Sequence, residues 1–153
     1  MRVFIDTNVF LDLLWKREEF LEDSFRIFDL AVDGKYELLI SDLSIANIKY
    51  ITRKDYPVEK FYEVMSVFRP VFNIVPIGEN AVDNALVLKA NDFEDALQYF
   101  SAVQAQADYL LTRNIKDYAF STMQVLTPSD FLKTLFPEVI NAMLLSTSNC
   151  KLN

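Results

Sequence analysis

The chain has 153 residues, 52% of them hydrophobic, with a formal net charge of −7, no histidine, two glycines and one cysteine. It is long enough for one full-sized core and too apolar to be disordered; no apolar run approaches membrane-spanning length, and the opening "MRVFIDTN" is too short and acidic for a signal peptide, so a cytoplasmic protein is expected. The lone Cys150 excludes a disulfide framework, the missing histidine removes the commonest general base and every Ser-His or Cys-His pair, and Gly34 and Gly78 cannot make a glycine-rich phosphate loop.

In chain order, "MRVFID" reads as a strand that stops at Asp6-Thr7-Asn8, and "NVFLDLLWK" follows with helical spacing at Val9, Phe10, Leu13 and Leu14. Asp6 therefore stands at a strand-to-helix junction. It could be a helix cap, but Thr7 or Asn8 can do that alone, which favours a functional Asp6. A second amphipathic helix runs from Glu19 to Asp33 and is closed by Gly34. "YELLI" is the second strand. Ser41 and Asp42 then cap the helix "LSIANIKYITRK", on which Asn47 shares a side with Leu43, Ala46, Tyr50 and Ile51 and is expected to point inward. That amide reads equally as a satisfied core asparagine or as a residue lining a crevice. Lys49, Arg53 and Lys54 at the end of the same helix are the densest basic cluster, commonly a solvated face.

Pro57 opens a further helix through Phe68, "VFNIV" is a third strand, and Glu79 to Ala90 another helix. The stretch "NDFEDALQYFSAVQAQADYLLTRNIKDY" reads as helix, strand and polar turn. Phe93, Ala96, Leu97, Phe100, Val103 and Ala107 form the expected apolar stripe of its helix. Asp92 is read as the cap, Glu94 as solvated, and Asp95 as aimed at a site. "MQVL" is the last strand, and "TPSDFLKTLF" a helix capped by Thr127 and stopped by Pro137. The alternation implies a doubly wound, mostly parallel sheet with helices on both faces, whose strand carboxyl ends gather Asp6, Asp95 and the turn with Asn114 and Asp117. One unit is expected over 1–136, with 137–153 a C-terminal helical extension or tail.

Gathering three carboxylates is unfavourable: two of them about 5 Å apart repel by roughly 3 kcal/mol at an effective dielectric of about 20. A divalent cation such as Mg²⁺ or Mn²⁺ is the natural compensation in a chain without histidine.

The segments "VFIDTNVFLDLL", "LLISDLSIANIKYITRK", "DFEDALQYFSA" and "ADYLLTRNIKDY", in this order and spacing, resemble the PIN-domain ribonucleases, nearest to the group that includes the VapC-type toxins, over about Arg2 to Phe131. The resemblance implies a three-layer α/β/α fold with a five-stranded, mostly parallel sheet. It also implies hydrolysis of RNA phosphodiesters by metal-activated water, with Asp6, Asp95 and Asp117 as the catalytic and Mg²⁺- or Mn²⁺-binding acids. Asn8, Asp92, Thr112 and Asn114 would support them. Arg113, Lys116 and the Lys49–Arg53–Lys54 strip are candidates for phosphate contact, a local basic strip being compatible with a negative chain. The family's second acidic position falls on Asn47, which removes one charge and leaves open a weakened PIN fold kept as a binding or regulatory module. A homodimer and a small antitoxin protein are the partners implied. Phosphatases of the haloacid-dehalogenase type, which also place an Asp after the first strand, would require Asp-x-Asp where this chain has Asp6-Thr7-Asn8.

Overall fold

Short apolar runs broken by polar junctions become five strands and the helices between them. The computed structural model describes residues 1–140. In order the elements are β1 (Arg2–Ile5), α1 (Thr7–Leu14), α2 (Glu18–Val32), β2 (Glu37–Ser41), α3 (Asp42–Thr52), α4 (Val58–Phe68), β3 (Phe72–Val75), α5 (Gly78–Leu88), α6 (Phe93–Gln104), β4 (Tyr109–Leu111), β5 (Gln124–Leu126) and α7 (Pro128–Leu135). Residues 137–140 are helical as well, with Val139 and Ile140 against the core; the rest of the expected tail lies outside the described residues. Among the described residues no helix is long and apolar enough to cross a membrane.

The sheet order is β3-β2-β1-β4-β5 and every neighbouring pair is parallel. A parallel sheet covered on both faces needs strands apolar on both sides, and these are. Val3 and Ile5 of β1, Leu38 and Ile40 of β2 and Leu111 of β4 enter one core with Phe10, Phe28, Ile48 and Phe131. Phe4, Leu39 and Leu110, the alternate residues, enter a second core with Tyr99, Ala102 and Tyr118. Three layers follow. The first core is aromatic-rich: Phe10 meets Phe28 at 5.3 Å, and Phe68 and Phe72 edge-on at 5.3 and 6.0 Å between ring centroids.

Local signals set the ends. Ser41 accepts from the Ser44 amide at the start of α3, Asp92 accepts from the Glu94 and Asp95 amides at the start of α6, and Thr127 accepts from the Asp130 amide at the start of α7. Gly34 takes φ +70° just past α2, as a left-handed helix terminator does.

Two helix faces differ from the sequence expectation. On α3 the buried residues are Ser44, Ile48 and Thr52, while Tyr50 and Ile51 lie outward; the inward face is partly hydroxylic, so hydrophobicity alone selects the wrong side. On α6 the buried residues are Ala96, Gln98, Tyr99, Ser101 and Ala102, and Phe93 and Val103 are 45% and 44% exposed. Small residues let this helix approach the sheet closely, and the larger apolar groups are left on its flanks.

Candidate functional site

The order of the strands creates the site. β1 is central; the chain runs outward from it through β2 to β3 on one side, then crosses back to β4 and β5 on the other, the reversal that opens a crevice at the carboxyl ends of an α/β sheet. Ile5 pairs with Leu111, and the Asp6 amide continues the ladder by donating to the Leu111 carbonyl at 2.9 Å. Asp6 and Thr112 thus stand side by side, each one residue past its strand.

Asp6 occupies the N-cap position of α1 but makes no side-chain capping bond. Both oxygens are committed elsewhere. Oδ1 accepts from Gln98 Nε2 at 3.0 Å; Oδ2 accepts from Thr112 Oγ1 at 2.8 Å and from the Asn8 amide nitrogen. Asn8 also donates to Thr112 Oγ1 at 3.1 Å and accepts from the Arg113 amide at 3.2 Å, so it ties the two strand ends together. Asp6 is 4% exposed. Burial lifts its pKa from 3.8 to about 6, against the lowering effect of the Thr112 and Gln98 hydrogen bonds.

Asp95 comes from the first turn of α6 and accepts from Tyr118 Oη at 3.2 Å. Its pKa rises from 3.8 to about 7, first through desolvation and then through the charges of Asp6, Asp92 and Asp117, with the Tyr118 bond opposing. Burial and the Asp6 and Asp95 charges push the Tyr118 phenol well above its usual range, which keeps it a donor at neutral pH. Asp117 is exposed on the short 3₁₀ turn Ile115–Tyr118, and it is near enough to Asp95 to raise it. The fold therefore holds Asp6 and Asp95 as a mutually repelling pair with Asp117 at the rim. Among the described residues no three acidic side chains are clustered tightly enough to form a ready-made metal cage. The donor chemistry nonetheless suits a hard cation: carboxylate oxygens only, held against their own repulsion.

The supporting residues fall into two groups. Asn8 and Thr112 bind Asp6 directly, and Thr112 Oγ1 also accepts from the Asn114 amide at 3.1 Å. Asp92 is the α6 cap, its Oδ1 accepting from the Glu94 and Asp95 amides at 2.8 and 3.3 Å. Asn47 is half-buried and, among the described residues, its side chain makes no hydrogen bond.

The basic residues are dispersed. Lys49 Nζ lies over the Phe61 ring, 5.1 Å from its centroid, and the Arg53 guanidinium stacks on Tyr50 at 3.8 Å while bonding the Tyr50 carbonyl. Lys54 is exposed past the end of α3. The Arg113 Nε lies 3.1 Å from Oδ2 of the fully buried Asp12, whose Oδ1 is 2.9 Å from Arg17. The Arg113 guanidinium also covers the Phe20 ring at 5.0 Å. Lys116 is exposed beside Asp117 and shares with Lys89, Asp92 and Phe120 a depression of about 550 Å³.

Two residues that the sequence reading passed over belong to the site. Gln98 is fully buried and donates to Asp6, to Thr7 Oγ1 at 3.2 Å and to Glu94 Oε1 at 3.2 Å. Glu94, expected to be solvated, is instead half-buried and also accepts from Thr7 Oγ1 at 3.4 Å. The available signal was spacing: Glu94 and Gln98 are four apart and share a helix face.

Comparison with known proteins places this geometry. A family described as PIN domain matches residues 2–116. No curated protein sequence matches the chain. Among solved structures, the complex VapBC2 from Rickettsia felis bound to a promoter DNA fragment aligns with TM-score 0.68 at 18% identity, over 83% of this chain and 98% of that one. VapBC-1 from nontypeable Haemophilus influenzae aligns with TM-score 0.64 at 17% identity, over 84% and 99%. A toxin–antitoxin complex from Klebsiella pneumoniae aligns with TM-score 0.63 at 21% identity, over 82% and 97%.

Proposed function

Because the chain belongs to the PIN-domain family, we propose that it is a metal-dependent endoribonuclease, the toxin of a toxin–antitoxin pair, acting at the carboxyl ends of β1 and β4. The observation that carries this reading is the Asp6–Asp95 pair. Two carboxylates with pKa values raised to about 6 and about 7 are brought into one crevice at the carboxyl ends of the strands, the pairing expected of a ligand-binding or catalytic site.

Asp6, Asp95 and Asp117 would hold Mg²⁺ or Mn²⁺. Such an ion supplies charge neutralisation for a phosphoryl oxygen and activation of a water. The protein's own contribution is positional. Gln98, Asn8 and Thr112 fix both oxygens of Asp6 with the orbitals of each directed, and Tyr118 fixes one oxygen of Asp95. Asp117 stands exposed on the turn at the rim of the crevice. Lys116, beside it, is the cation best placed for a phosphate of the strand; Arg113 is already engaged by Asp12 and Phe20, and Lys49 and Arg53 by aromatic rings. An RNA substrate, a small antitoxin partner, a homodimer and a cytoplasmic location belong to the same proposal. The printed description of the Klebsiella neighbour as a toxin–antitoxin complex supports the antitoxin.

Incubating wild type and Asp6→Asn with structured RNAs plus Mg²⁺ or Mn²⁺, with product ends mapped, tests the reading. Metal-dependent cleavage leaving 5′-phosphates, lost in Asp6→Asn, is the expected result; cleavage that survives the substitution comes from a contaminant and removes the support. Asn47, neutral where an acid is expected, favours a second reading, a binding or regulatory module. A protein whose melting temperature is unmoved by Mn²⁺ would have that role, since an ion bound only by the native state must raise it.

A further inference from the structure

Glu94 and Gln98 are absent from the acid set that the family resemblance implies, yet the structure builds both into the wall of the crevice. Gln98 Oε1 accepts from Ser44 Oγ at 3.0 Å, and Ser44 is itself held by Ser41 Oγ at 2.9 Å and Thr7 Oγ1 at 2.9 Å. With the oxygen turned to Ser44, the nitrogen must face the acids. Its two hydrogens meet Asp6 Oδ1 at 3.0 Å and Glu94 Oε1 at 3.2 Å, with Thr7 Oγ1 completing the group at 3.2 Å. A fully buried amide is tolerated only when its hydrogen-bonding capacity is used, and here that capacity is spent on joining two carboxylates.

Glu94 is bound through Oε1 alone; among the described residues Oε2 makes no hydrogen bond. On α3, Asn47 lies three residues beyond Ser44, is half-buried and brings no charge.

We infer that Glu94 is the fourth acidic ligand-bearing group of this centre, standing in for the carboxylate that Asn47 does not provide, and that Gln98 is the positioning residue that holds Glu94 and Asp6 in register. This rests on the metal-dependent reading above. The centre would then draw on four carboxylates around a bound ion, two of them linked by one neutral amide, with the fourth on α6. Glutamate replacing Gln98 would place a third negative charge against these two, so the amide is specifically required.

Calorimetric titration of the full chain with Mn²⁺ alone, without RNA, tests the assignment, paired with melting curves of the metal-free proteins. Wild type binds Mn²⁺. Glu94→Gln, isosteric and uncharged, weakens binding by about tenfold or more with an unchanged metal-free melting temperature. Adding Asn47→Glu to Glu94→Gln recovers binding, because the charge is returned from α3. Gln98→Met also weakens binding, and Glu59→Gln, remote on α4, does not. Glu94→Gln with wild-type affinity, or a double variant no tighter than the single one, overturns the assignment and leaves the nuclease reading standing. Wild type that neither binds Mn²⁺ nor cleaves RNA overturns the nuclease reading itself.

Discussion

Asp6 and Asp95 are ionised at a disadvantage, and that disadvantage is measurable. Their folded pKa values, about 6 and about 7, stand above the ordinary 3.8. Well below the ordinary value both states carry the proton and nothing is lost. As pH rises toward about 7 the unfolded chain ionises first, so the metal-free fold loses stability across that window and levels off above it. The metal-free protein should therefore melt lower at pH 8 than at pH 5. Asp95→Asn should reduce this difference and raise stability at pH 8 by about 1 kcal/mol, roughly 3 °C for a chain of this size; scanning calorimetry at both pH values checks it, and an unaltered pH dependence would refute the coupling. Asp12 is a different kind of buried acid. Burial raises its pKa, Arg113 and Arg17 pull it back, and among the described residues neither arginine has another acidic partner. Removing it leaves two cations facing a vacated site, so Asp12→Ala should cost about 3 kcal/mol, near 10 °C in Tm. At this scale a strand end and a helix start single out Asp6 and Asp95, and the family resemblance adds Thr112; the structure sets Thr112 on Asp6 and Asp95 within reach of its charge. The sequence did not reveal Glu94 or Gln98, because a glutamate beside a capping aspartate looks solvated until the rotation of the helix is known.

That rotation is decided between elements. α6 buries Ala96, Ser101 and Ala102, and its close approach to the sheet turns Gln98 toward Asp6. The larger side chains of the expected stripe, Phe93 and Val103, are left partly in solvent. α3 repeats the lesson with Ser44, Ile48 and Thr52 inward; Thr52 satisfies its hydroxyl on the Ile48 carbonyl at 2.7 Å. Periodic hydrophobicity finds a helix, but its facing depends on volume and hydroxyl satisfaction as much as on apolarity. Caps were more legible than faces: Ser41, Asp92, Thr127 and Gly34 all act where the sequence put them. Capping and ligation should separate on α6. Asp92→Ala should lower stability by about 1 kcal/mol with little change in Mn²⁺ affinity, whereas Asp95→Asn should do the reverse; comparison of melting and titration data for the two decides it. Gly34 has open space around the position of a side chain but a φ of +70°, so Gly34→Ala should cost about 1 kcal/mol from backbone strain alone, read from denaturant midpoints.

For the whole molecule, the count, order along the chain and parallel pairing of the strands were all readable from apolar runs separated by helical spacing, and the two-sided alternation of β1, β2 and β4 shows why a three-layer fold results. The order of strands across the sheet was not readable, and it is this order that makes β1 central and opens the crevice beside Asp6. The net charge of −7 works against a polyanion, and Lys49, Arg53 and Arg113 are already engaged by rings or by Asp12. RNA affinity should consequently show a shallow salt dependence. Lys116→Ala should lessen the slope of log K against log salt by about 0.7, the share of one single-strand phosphate contact, in a binding assay run in Ca²⁺ to prevent turnover. An unchanged slope would remove Lys116 from the interface.

The bond between Thr112 and Asp6 joins residues 106 positions apart. A ribosome must therefore finish β4 before the crevice has both of its walls, and a chain cut short before Thr112 keeps Asp6 without one of the two hydroxyl and amide partners that hold its Oδ2.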